Sequence, residues 1–170
     1  MINDQVLEVL MNKYGDMVLR TCFLYLRDYH LAEDATQETF VKVFKSYEKF
    51  EHRSDEKTWI IKIAINCCKN IRRTHWFSVK KCSYDELSEK IEEKNSSLPE
   101  KENKQILSNA IMQLNDKDRE IIILYYYQEF SIEEIALVMD KKENSMCQQL
   151  RRARNKLKKI LLQEGYQNEI

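Results

Sequence analysis

The sequence predicts an all-α protein of two small helical domains joined by a flexible acidic linker. Three observations carry that prediction. Glycine occurs twice and proline once in 170 residues, too few for the tight hairpins of sandwiches and barrels or for a Gly-rich phosphate loop. Apolar residues recur at three- and four-residue steps through most of the chain. That periodicity is broken by one long polar stretch: Tyr84 to Glu102 holds seven acidic and three basic residues, Asn95-Ser96-Ser97 and the lone Pro99, the composition of a solvated joint. The predicted boundaries are 1–77, a linker at 78–102, and 103–170, within the prior of about 150 residues per domain or two smaller ones.

Each element has its own signal. Residues 3–28 read as a helix, because Val6, Leu7, Leu10, Tyr14, Met17, Val18, Thr21, Leu24 and Tyr25 share helical spacing. Segments 32–49 and 55–74 follow. Leu87 and Ile91 are spaced for a short helix inside the linker. Periodicity returns at Ile106, Ala110, Ile111 and Leu114, and Asn115-Asp116 then punctuate it. The apolar run Ile121–Tyr127 reads as core. Ser131-Ile132-Glu133-Glu134 fits a capping box, and a last helix runs from about Asn144 to Leu162.

Cysteine usage points to a reducing, cytoplasmic setting. The five cysteines (22, 67, 68, 82 and 147) are odd in number and contain no C-x-x-C pair. They read as small buried hydrophobes, and no metal, cofactor or catalytic site is expected. The start Met-Ile-Asn-Asp has no basic n-region and apolar run, so no signal peptide is expected, and no 18-residue apolar stretch occurs in the sequence.

The zero net charge hides segregation. Lys69 to Lys81 holds five Lys/Arg, His75 and no acid, and Lys141 to Ile160 holds eight Lys/Arg against one Glu. Two basic stations with an acidic joint suit either two contacts with one polyanion or ordinary solvated helix faces. Helical geometry at about 100° per residue discriminates. On the last helix Met146, Leu150, Ala153, Leu157 and Leu161 make one stripe, expected to pack on the helix that starts at Ser131. Gln148, Arg151, Arg152 and Asn155 lie opposite, with Cys147 beside them. Helix, turn at Asp140-Lys141-Lys142, helix is helix-turn-helix spacing. Gln and Arg outward near the start of the second helix suit major-groove base edges, and Arg154, Lys156 and Lys158 would lie nearer phosphates.

Segment 55–74 carries a different face. Trp59, Lys62, Ile63, Asn66, Asn70 and Arg73 share a stripe, with Lys69 at its edge, while Ile60, Ile61, Ala64, Cys68 and Ile71 share another. An indole with amides and cations is a platform for unstacked bases; a core Trp with snorkelling cations gives the same pattern. The basic patch continues through Arg72, His75, Trp76 and Phe77. In segment 32–49, Phe40, Val43, Phe44 and Tyr47 suit a core. Asp34, Gln37, Glu38 and Val41 make a polar stripe, either plain surface or a protein-docking face.

These residues resemble a known family. Ala32 to Phe44 (AEDATQETFVKVF) looks like the polymerase-docking helix of bacterial sigma factors. Phe50 with Lys57-Thr58-Trp59-Ile60-Ile61-Lys62-Ile63-Ala64-Ile65-Asn66, then Asn70, Arg72 and Arg73, resembles their promoter-melting helix. Leu114-Asn115-x-x-x-Arg119, Ser131 to Ala136 and Leu150-Arg151-Arg152-Ala153-Arg154-x-x-Leu157 resemble their helix-turn-helix domain. Two domains joined directly match the extracytoplasmic-function (ECF) subfamily. The resemblance implies sigma region 2 at 1–77 and region 4 at 103–170. Core RNA polymerase would be met by Asp34, Gln37, Glu38, Val41 and Phe44. Opened −10 DNA would be met by Trp59, Lys62, Asn66, Lys69, Asn70, Arg72 and Arg73. Duplex −35 DNA would be met by Ser145, Cys147, Gln148, Arg151, Arg152 and Arg154. It also implies an anti-sigma factor, often membrane-anchored, and a polymerase that supplies all catalysis. Asn144-Ser145-Met146 departs from the family's Gly-Thr-Val, but Asn can turn and cap a helix. The alternative is a stand-alone helix-turn-helix regulator, which leaves the Asp34 stripe and Trp59 to Arg73 without a role.

Overall fold

The computed structural model describes residues 3–74 and 98–165, the side chains of 98–102 excepted. The predicted linker therefore lies outside the described residues up to Ser97, as do the Leu87/Ile91 helix and His75 to Phe77. The chain divides into two compact units, Met1–Lys81 and Cys82–Ile170. Among the described residues every regular element is helical.

In the first unit, α1 spans Asp4–Leu26, α2 Tyr29–Ser46 and α3 Glu56–Thr74, with a 3-10 turn at Tyr47–Lys49. The Asn3 side chain starts α1 by accepting from Gln5 N at 3.2 Å, and Asp28 starts α2 by accepting from Leu31 N at 3.0 Å. That cap is why α2 begins three residues ahead of the apolar pattern read from Ala32. Between the helices Arg27 takes a left-handed φ of 62°, a C-cap conformation more often given to Gly. The three helices pack on one another through Val18, Cys22, Phe23, Ala32, Ala35, Val43, Ile60, Ile61, Ala64, Ile65, Cys67 and Cys68, all 0% exposed. Thr21 and Thr39 share that core because their hydroxyls donate to Met17 O (2.8 Å) and Ala35 O (2.6 Å), which leaves no unpaired hydroxyl in an apolar site.

In the second unit, α4 spans Leu98–Gln113, α5 Asp116–Ile122, α6 Ile132–Met139 and α7 Glu143–Gln163. α4 begins inside the stretch read as linker, with Pro99 in its first turn, where a missing N–H costs nothing. Asn115 caps α5, its Oδ1 accepting from Asp118 N at 2.9 Å. The chain then passes through a π-helical turn, Ile123–Tyr127, closed by Gln128 N donating to Ile123 O at 3.1 Å. Here one expectation is corrected. The core reading of Ile121–Tyr127 holds for Ile121 to Leu124, which are buried, but Tyr126 and Tyr127 are 50% and 43% exposed. Seven consecutive residues on a helix point in every direction, so they cannot all face one core.

Arg119 is buried at 4% exposure and ends α4. Its guanidinium donates to Leu114 O at 2.8 Å and Met112 O at 3.4 Å and lies 3.8 Å from Asp116. A cation on the last carbonyls answers both their missing partners and the helix dipole.

Candidate functional site

On α2 the polar stripe stands outward. Asp34, Gln37 and Val41 are exposed, Val41 by half, and Glu38 is half-buried. Ala32, Ala35, Thr39, Phe40 and Val43 are buried on the other side. Glu38 Oε1 pairs with Lys42 Nζ at 2.6 Å, and Lys42 Nζ also reaches Cys67 Sγ at 3.4 Å. The hydrogen bond from Lys42 to Glu38, the largest influence, raises the lysine above its ordinary pKa. Phe44 is half-buried beside the stripe. The result is two carboxylates and an amide beside the exposed side chain of Val41.

On α3 the sidedness is equally sharp. Asn66, Lys69, Asn70 and Arg73 are exposed, and Trp59, Lys62 and Ile63 are half-buried. Ile60, Ile61, Ala64, Ile65, Cys67 and Cys68 are sealed behind them. Arg72 leaves this group. It sits about 140° around the helix from Trp59, at the border of the buried face, and is half-buried.

Trp59 combines the two roles that its sequence pattern allowed. Phe50 lies at 4.9 Å and 32° to the indole, and Tyr47 meets it edge-on at 5.9 Å and 70°. His52, at φ 52° in the loop before α3, tilts over Phe50 at 4.5 Å. The ring is thus braced by two aromatic neighbours and partly open to solvent.

Sequence reasoning missed the brace. Helical spacing puts Tyr47 with the core residues Phe40, Val43 and Phe44 and singles out nothing at Glu56. Yet Glu56 Oε1 accepts from Tyr47 OH at 2.5 Å, its Oε2 accepts from Tyr14 OH at 2.8 Å, and Lys13 Nζ is 3.4 Å away. Burial pushes the Glu56 carboxyl up, but the bonds from Tyr47, Tyr14 and Lys13 outweigh it and hold the group below its ordinary 4.5.

In the second unit α6 and α7 form the helix-turn-helix. The Ser131 capping box is made in both directions: Glu134 N donates to Ser131 Oγ (3.2 Å) and Ser131 N donates to Glu134 Oε2 (2.8 Å). Asp140 ends α6 in the left-handed region, φ 52°, where Asp is tolerated. Lys142, not Asn144, is the N-cap of α7, and it makes no side-chain cap bond. The expectation that Asn144 caps is therefore corrected: the helix starts at Glu143, so Asn144 already lies in its first turn.

Met146, Leu150, Ala153 and Leu161 are buried and Leu157 is half-buried. Their stripe packs on α5 and α4 as well as on α6. Ser145, Cys147, Gln148, Arg151, Arg152 and Arg154 are all exposed, spread over about half the helix circumference. Cys147 thus departs from the buried-thiol expectation, which holds for Cys22, Cys67 and Cys68. Arg154 sits at the edge of the arc, its guanidinium 5.3 Å from the Tyr125 ring centroid and 5.8 Å from that of Tyr126. Lys156 pairs with Asp118, and Gln149 Nε2 donates to Lys117 O at 2.7 Å.

Among the described residues no helix is long and apolar enough to cross a membrane, and no cluster of three or more His, Cys, Asp or Glu could hold a metal ion.

Comparison with known proteins reads the same two regions. The family model for sigma-70 region 2 matches residues 10–78, and that for sigma-70 region 4 matches residues 104–157. The ECF RNA polymerase sigma factor SigM of Bacillus subtilis is 30% identical over 159 residues, covering 92% of this chain and 93% of SigM. The RNA polymerase sigma factor YlaC of the same organism is 28% identical over 169 residues, covering 96% of each chain. Among solved structures, the sigma factor RpoE of Bartonella quintana, crystallised with the anti-sigma factor NepR, shares the fold. Its TM-score is 0.69 at 21% identity, covering 91% of this chain and 95% of RpoE.

Proposed function

This chain belongs to the sigma-70 family, in its ECF group, and from that premise we propose how its surfaces divide the work of a sigma factor. As an ECF sigma factor it binds core RNA polymerase and promoter DNA and directs transcription initiation. The domain of residues 1–77 docks on the polymerase through Asp34, Gln37, Glu38, Val41 and Phe44. The same domain captures opened −10 DNA through Trp59, Lys62, Asn66, Lys69, Asn70 and Arg73, with Arg72 at the margin. The domain of residues 103–170 holds the −35 duplex through Ser145, Cys147, Gln148, Arg151, Arg152 and Arg154. Residues 78–102 join them.

What supports this reading most directly is the outward arc of α7. Six polar, thiol or cationic side chains stand exposed there while the opposite stripe is packed away. Gln148 and Arg152 can each make paired hydrogen bonds to base edges, and Arg154, already held over two tyrosine rings, is set for a phosphate. In the first domain, unstacking a base costs a few kcal/mol. Stacking on Trp59 returns about 1–3 kcal/mol. The polymerase makes the phosphodiester bonds; this chain supplies none of that chemistry. It works in the cytoplasm, and an anti-sigma factor holds it inactive until a signal releases it; RpoE of Bartonella quintana was crystallised in complex with the anti-sigma factor NepR.

The test is run-off transcription with purified core polymerase, on promoters found by sequencing transcripts after overexpression. Addition of this chain alone produces transcripts with defined starts. A stand-alone helix-turn-helix regulator would bind those promoters and start nothing with core enzyme.

A further inference from the structure

Glu56 gathers two helices and a 3-10 turn onto one carboxylate a single turn ahead of Trp59. Tyr47 OH donates to Oε1 and Tyr14 OH to Oε2, with Lys13 Nζ beside Oε2. The Glu56 side chain is 21% exposed, so water screens these bonds only partly. Tyr47 is the member that matters for Trp59: its ring lies edge-on against the indole, and Phe50 braces the same indole. Fixing the Tyr47 hydroxyl fixes the ring that abuts Trp59.

We propose that Glu56 is a positioning residue for promoter opening: by anchoring Tyr47 it sets the orientation in which Trp59 presents its indole to an unstacked base. The proposal rests on Trp59 being the −10 platform. A ring already held in its working orientation loses less freedom when a base stacks on it. Tyr14 supplies the internal comparison. It donates to the other oxygen of the same carboxylate from α1, so removing its hydroxyl removes a comparable bond and leaves Tyr47 anchored.

The experiment uses the full chain: emission is read on the free chain carrying Trp76→Phe, in which Trp59 is the single tryptophan, and opening is read on the chain with Trp76 retained, assembled with core polymerase. Strand opening is followed by permanganate reactivity of −10 thymines, and the indole environment by Trp59 emission. Loss of a hydrogen bond to a charged group corresponds to roughly a tenfold change. Tyr47→Phe and Glu56→Ala each slow opening by about that factor and shift Trp59 emission, whereas Tyr14→Phe changes opening by less than about twofold and leaves the emission in place. Glu56→Gln, which keeps an oxygen for Tyr47, recovers most of the rate. Tyr47→Phe retains the packed ring, so its reading survives if Glu56→Ala fails to fold. Two results overturn the proposal while leaving the platform standing. One is wild-type opening by Tyr47→Phe and Glu56→Ala beside a defective Trp59→Ala. The other is a Tyr14→Phe protein that matches Glu56→Ala in both readouts, which would make the carboxylate a plain tie between helices. Wild-type opening by Trp59→Ala removes the platform itself, and the positioning role with it.

Discussion

Lys156, on the helix proposed to read the −35 element, pairs with Asp118 at the start of α5. The Asp118 side chain is 8% exposed and also accepts from Asn115 Nδ2 at 2.7 Å. Lys156, about half exposed itself, thus ties α7 to the buried Asp118 of α5, and its charge is already paired before any phosphate is met. A phosphate-contacting lysine adds about one unit to the salt dependence of DNA binding. Lys156→Ala is expected to leave that slope unchanged and to destabilise the domain by about 1–2 kcal/mol, between the exposed-pair and buried-pair figures. Lys158→Ala, which removes an exposed cation, lowers the slope by about 0.9 with little effect on stability. Filter-binding or anisotropy across a salt series, beside urea unfolding, checks both; a reduced slope for Lys156→Ala rejects the assignment.

Arg152 occupies the exposed arc of α7, near the middle of the helix. Bidentate contact with guanine predicts that Arg152→Ala loses about 1–3 kcal/mol of discrimination at one −35 base pair, with other positions unaffected. Binding measured across single-base promoter variants decides the matter. Uniform weakening on every sequence makes Arg152 a phosphate contact instead.

Gln37 and Glu38 stand at the centre of the α2 stripe, and Glu38 already holds Lys42. Replacing both with Ala removes an amide and a carboxylate without touching the buried face of α2. Core-polymerase affinity is expected to fall about tenfold or more, the scale of an interface hot spot, while helicity by circular dichroism is retained. Unchanged affinity would take the docking role away from this stripe.

The fold was legible in the sequence wherever local spacing decides it. Ser131 and Glu134 are three apart, and a capping box needs nothing else. The packed stripe from Met146 to Leu161 follows from helical period alone. What stayed hidden depends on chain segments that meet only in three dimensions. Tyr14 and Glu56 are 42 positions apart, and no periodicity links them. Lys156 and Asp118 are 38 apart, so a basic run looked wholly available to phosphate. Arg119 stands in a segment that resembles the family's, but its work in ending α4 is visible only beside the carbonyls it meets. The start of α7 slipped by one residue, enough to turn Asn144 from a cap into a first-turn residue.

Gly15 lies in the interior of α1, where glycine serves no turn. A Cβ built there meets nothing within 4 Å, and the backbone is ordinary helix. Gly15→Ala is therefore expected to stabilise the first unit by about 0.5–1 kcal/mol, through lower unfolded-state entropy and better helix propensity. Denaturant unfolding followed at the first unit checks this. A loss of stability would mean that the open space beside Gly15 is filled in solution.

Glu56 makes the stability of the first unit depend on pH in a defined direction. Its carboxyl is held below 4.5 in the folded chain because the bonds from Tyr47, Tyr14 and Lys13 outweigh burial, which alone would raise it. A depressed carboxyl contributes stability that is present above its unfolded pKa and disappears as pH falls through the folded one. The tyrosines act at the other limit. The bond to Glu56, then burial, raises Tyr47, while burial leads for Tyr14. Their contribution is complete below the ordinary 10 and is lost as pH climbs through the raised values. Glu56→Gln is expected to be less stable than the parent by about 1–2 kcal/mol near neutral pH, where a charged acceptor is exchanged for a neutral one. The gap then closes as the solution is acidified past the carboxylate range, because a protonated Glu56 accepts no better than an amide. Urea unfolding of the two proteins from neutral pH down to about pH 3 measures that closure directly. A difference that stays constant across the series would show that the Glu56 charge contributes nothing to holding Tyr14 and Tyr47.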